Sequence, residues 1–134
     1  MEERANKLRD RGRLLDSVLV DALASAAVSE TCEVASSRVF SWAQGNKVNA
    51  SRAFEPGSGS ADWPLANQRL IFANLISQTI GVTLSPHFLM HPVKSISFVM
   101  GLGPDIEQAS SPLSCEGCKR VDCAYRLETS AEAR

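Results

Sequence analysis

The chain has 134 residues, 44% apolar and 22% charged, with a net charge of −1 and a pI of about 6.1. That length and apolar share support one domain with its own core. The near-neutral charge provides no basic excess for nucleic acid or anionic membranes, and no apolar run reaches the roughly 20 residues of a membrane-spanning helix.

The N-terminus, Met1-Glu2-Glu3-Arg4, is charged and lacks the apolar stretch of a signal peptide. A cytoplasmic location is therefore expected, where thiols stay reduced. Residues 1–12 read as a charged N-terminal segment. From about Arg9 to Gln44 the spacing predicts one long helix, nicked at Gly12. Leu15, Val18, Leu19, Ala22, Ala26 and Ser29 recur at helical intervals along it. Residues 21–29 are rich in Ala and Ser, which lets another element approach closely. Gly45-Asn46 is the expected stop, and residues 47–54 alternate weakly, as a short strand would.

Glu55-Pro56-Gly57-Ser58-Gly59-Ser60-Ala61-Asp62 holds five Gly, Ser or Pro residues in eight. It reads as a loop with special backbone angles. Asp62 has the character of an N-cap and Pro64 that of a first-turn residue, so a second helix is expected from about Trp63 to Gln78, ended by Gly81. Its apolar face would be Leu65, Ile71, Phe72, Leu75 and Ile76. Residues 82–84 suit a short extended piece, and 85–92, bounded by prolines, an irregular one. The clearest strand is 95–103: Ile96, Phe98, Met100 and Leu102 share one face. The small residues opposite leave room for close packing, with the long helix a candidate. Trp42 and Trp63 are expected in the core.

Residues 104–114 read as a linker and 127–134 as a tail. Between them stand Cys115, Cys118 and Cys123 in C-x2-C-x4-C spacing. Three thiols in a polar, Gly-containing segment suit zinc or an iron–sulfur cluster, and both want a fourth ligand. Cys32, His87, His91, Asp122 or a partner's residue could supply it; free thiols or disulfides are the alternative. His87 and His91 lie four apart, but Pro86 and Pro92 argue against a long helix there, and ordinary histidines are expected. No Ser-His-Asp set, P-loop or dinucleotide fingerprint appears.

Four segments occur in an order that resembles a known family. They are Leu19–Ala27; Pro56-Gly57 with Asp62-Trp63-Pro64-Leu65 and Gln68; Ile80-Gly81-Val82-Thr83-Leu84 with Met90 and Pro92–Ser97; and Cys115, Cys118, Cys123, Tyr125 and Arg126. Together they span roughly residues 13–126. They are similar to the stand-alone proteins related to the activation domain of vitamin B12-dependent methionine synthase. The resemblance implies an activation-domain-like core over 13–104 and a Cys-rich metal or cluster segment over 105–126. It further implies S-adenosylmethionine as ligand, held by Arg52, Pro56, Gly57, Ser58 and Gly59, with Lys94 and Ser95 nearby. Arg52 would pair with the ligand's carboxylate. A partner would carry cobalamin, and any methyltransferase-associated reactivation would require it.

The pattern departs from the family at three places. Ser58 stands where an aromatic is usual, Arg52 lies four residues before Pro56, and the family's N-terminal half has no counterpart in these residues. An open sheet edge follows from the last point. The expected partner is a corrinoid protein, a subunit supplying that half, or a second copy. The expected fold is α+β: a long helix and a second helix packed on a small, mainly antiparallel sheet, with a Cys-rich C-terminal appendage. The competing expectation is a non-enzymatic interaction module bearing zinc or a cluster.

Overall fold

The computed structural model describes residues 1–57 and 63–112. Within them the fold is α+β, with a dominant helix and two small antiparallel sheets. The predicted long helix is divided where Gly12 adopts φ +74. Helix α1 (Glu2–Asp10) precedes this break and α2 (Leu14–Gly45) follows it. The charged segment is thus itself helical, a feature the sequence reading missed. Its signal was electrostatic: Glu2 and Glu3 occupy the first turn and Lys7 and Arg9 the last, which complements the helix dipole. α1 folds back along α2, and Ser17 Oγ donates to the Ala5 carbonyl at 2.8 Å.

The side of α2 turned inward is made of small residues. Ala24, Cys32, Ser36 and Ala43 are buried. Ser36 has no apolar option, so its hydroxyl bonds back to the Cys32 carbonyl at 2.8 Å. The larger residues that signal the helix lie on the other side: Leu15, Val18, Leu19 and Leu23 are between 53% and 72% exposed. Trp42, expected in the core, is also exposed, and Trp63 is half-buried.

β1 (Asn49–Ala50) pairs with β4 (Leu102–Gly103), and the pairing extends through the Phe54–Val99 bridge. β2 (Thr83–Leu84) pairs with β3 (Met90–His91), which is followed by a cis His91–Pro92 bond. The continuous strand expected over 95–103 is reduced to the bridge and β4. A side chain at Gly101 would meet Ile106 Cδ1 at 3.3 Å and Ser51 Oγ at 3.5 Å. The segment after β4, expected as a linker, instead lies along β1. The Ala53 and Ala109 amides donate to the Pro112 and Ala50 carbonyls, and the Ala50 amide donates to Gln108 Oε1.

The second helix is shorter than expected and broken. A 3-10 turn (Leu65–Asn67) runs into α3 (Gln68–Asn74), and a second 3-10 turn (Ser77–Ile80) follows an extended Leu75. Gly81 ends it at φ +70, as the sequence suggests. Ile71 is buried and Phe72 half-buried, whereas Leu65, Leu75 and Ile76 of the expected apolar face are exposed.

Candidate functional site

Arg52 and Phe54 flank Ala53 at the end of the β1 ladder. The Arg52 guanidinium lies over the Phe54 ring, 4.3 Å from its centroid. Phe54 is fixed in turn by reciprocal backbone bonds with Val99, at 2.9 and 3.0 Å. The arginine is therefore held by cation–π attraction on a rigid support. Pro56 is buried, and Gly57 turns the chain at φ +80. The Gly57 amide donates to the Trp63 carbonyl at 3.0 Å, closing the loop at its base. Ser58 and Gly59 lie outside the described residues.

Glu55 approaches the long helix: the Cys32 thiol donates to Glu55 Oε1 at 3.9 Å. Burial, then the Glu55 and Glu33 carboxylates, push the Cys32 thiol up to about 11. Cys32 thus stays a neutral, weakly nucleophilic thiol at ordinary pH.

Lys94 forms a second station on the same helix. Its ammonium donates to Asp21 Oδ2 at 3.0 Å and to Ser25 Oγ at 2.8 Å, and its backbone amide donates to the Glu2 carboxylate. Ser95 Oγ donates to the Pro92 carbonyl at 2.7 Å. An open cleft of about 480 Å³ adjoins Lys94, bordered by Glu2, Glu3, Ala24 and Val28. None of residues 52–57 lines that cleft. Ser25 and Cys32 are seven residues apart on α2, or about 10 Å along its axis. The described residues of the predicted ligand site thus occupy two neighbouring stations rather than one cluster.

Cys115, Cys118 and Cys123 lie outside the described residues, as does Asp122. His87 and His91 are exposed. Among the described residues, no three His, Cys, Asp or Glu side chains gather as metal ligands would. No helix among them is long and apolar enough to cross a membrane. Compared with known proteins, the sequence matches no family model and no curated protein.

Proposed function

We propose that the chain is a partner-dependent component of corrinoid-linked methyl transfer, similar in role to the activation domain of cobalamin-dependent methionine synthase. Two of the four segments that carry the resemblance abut one another, and this observation supports the role best. Lys94 bonds to Asp21 and Ser25, which belong to the Leu19–Ala27 segment. Glu55, next to Pro56, meets Cys32 on the same helix.

In this role Arg52 and the Pro56–Gly59 loop hold the carboxylate of S-adenosylmethionine. A guanidinium supplies paired donors to a carboxylate, and a Gly-containing turn exposes backbone amides. Lys94 and Ser95 belong to the neighbouring station. The methyl acceptor is a cobalamin carried by a partner. Cys115, Cys118 and Cys123 supply three thiolates to an iron–sulfur cluster or zinc. The fourth ligand comes from Cys32, His87, His91, Asp122 or a partner's residue.

Calorimetry with S-adenosylmethionine under anaerobic, reducing conditions tests this role. A stoichiometric heat that disappears in Arg52→Ala is expected. Silence in the intact chain, alongside bound zinc, would instead favour a non-enzymatic interaction module. The uncovered apolar side of α2 supports that second reading.

A further inference from the structure

Between α3, the 3-10 turn after it and residues 96–98 lies a pocket of about 260 Å³. Its walls are Ile71, Phe72, Val82, Met90, Ile96 and Phe98. None of the described lining residues is charged. Two serines, Ser77 and Ser97, interrupt this apolar lining. Ser77 is only 8% exposed. Ser77 Oγ and Ser97 Oγ are both buried and have no hydrogen-bond partner.

A buried hydroxyl without a partner costs about 1–3 kcal/mol. Two of them in one apolar pocket are the arrangement of a small-molecule site, where a few polar groups orient an apolar ligand. Each hydroxyl can donate and accept. The absence of a charged lining residue disfavours an ionic ligand, since a charge there would lie unpaired. At interior packing density the volume accommodates about a dozen non-hydrogen atoms.

We propose that this pocket binds a neutral, mainly apolar small molecule with an aromatic or branched body and one hydroxyl or carbonyl group, which bonds to Ser77 and Ser97. Phe72, Phe98 and Met90 hold the body through ring and sulfur contacts. None of Arg52, Pro56, Gly57, Lys94 and Ser95 lines the pocket, so this site is distinct from the ligand residues proposed above.

The test is equilibrium dialysis at pH 7 with 1-naphthol, and with naphthalene as the matched probe lacking the hydroxyl. One saturable equivalent of 1-naphthol is expected. The double variant Ser77→Ala/Ser97→Ala should weaken 1-naphthol about tenfold, a difference of about 1.4 kcal/mol, and leave naphthalene within about twofold, since its apolar contacts remain. Val82→Phe, which fills the pocket, should abolish binding of both. Leu19→Lys, on the exposed side of α2, should change neither. Circular dichroism confirms that each variant is folded, and the serine variant decides the matter if Val82→Phe is not. Absence of saturable binding would overturn the site, as would equal losses for the two probes in the serine variant. Loss of binding in Leu19→Lys would also overturn it, by assigning the binding to α2.

Discussion

At Cys32, burial and two carboxylates act in the same direction. All three disfavour the thiolate, and they lift the thiol from 9.0 to about 11. In a C115S/C118S/C123S background, where Cys32 is the remaining cysteine, iodoacetamide should react about a hundredfold more slowly than with a free thiol, because the thiolate is the nucleophile. Glu55→Gln should raise that rate only in part, because burial is the largest cause and remains. The stability consequence has a definite sign. The unfolded chain releases the Cys32 proton near pH 9.0 and the folded chain near 11. Stability should therefore fall as pH rises through that interval, measurable by urea unfolding at pH 8 and pH 10.5. Lys94 offers a second test at this scale. Its side chain is 24% exposed and Asp21's is 55%, so the pair belongs with partly screened bridges. Lys94→Met should cost about 1 kcal/mol, near the upper end for such bridges, and adding Asp21→Asn should cost little more. Of the proposed ligand residues, Arg52 and Gly57 were conspicuous in the sequence because their types are chemically distinctive. The Asp21–Lys94 bond was not, because 73 positions separate its ends.

Among the elements, helices were more legible than strands. The α2 signal is long and periodic, and Gly12 and Gly45 stand at its two limits. What periodicity does not reveal is which side of a helix faces inward. The large residues of α2 marked the helix, yet its Ala, Ser and Cys residues make the internal contacts. The 95–103 strand was overread because alternation describes a local preference, whereas a strand requires a partner along its length. Residues 49–54 provide that partner only along 101–103 and again at Val99. Two glycines separate backbone strain from crowding. Gly12 and Gly57 both have positive φ, but a side chain would meet nothing within 4 Å at Gly12 and Leu65 Cδ1 at 3.1 Å at Gly57. Gly12→Ala should cost about 1 kcal/mol, the left-handed penalty alone. Gly57→Ala should cost more and also weaken S-adenosylmethionine binding. Chemical denaturation and calorimetry read the two effects.

For the molecule as a whole, the described residues leave much apolar surface uncovered, including Leu14, Leu15, Leu19 and Leu23 on α2 and Ile76 and Ile80 after α3. Exposed apolar residues in this number fit the partner-dependent role proposed above. The sheets add to it, since each has two strands and therefore no interior strand. The partner expected from the open sheet edge thus has a helical surface to meet as well. Leu19→Lys should weaken association with that partner at least tenfold and leave the helical circular dichroism signal unchanged, because Leu19 makes few internal contacts. Analytical ultracentrifugation of the chain with and without a cobalamin-carrying protein would measure it.

The tightest places in the fold are occupied by its smallest side chains: Ala43, Ala50 and Ala53 are at most 2% exposed, and Ser36 is 1% exposed. This inverts the usual mutational profile. Alanine scanning, which finds cores by removing atoms, would pass over the three alanines. Tolerance here depends on what is added, and in a full substitution map Ala43 and Ala50 should accept glycine or serine before they accept valine.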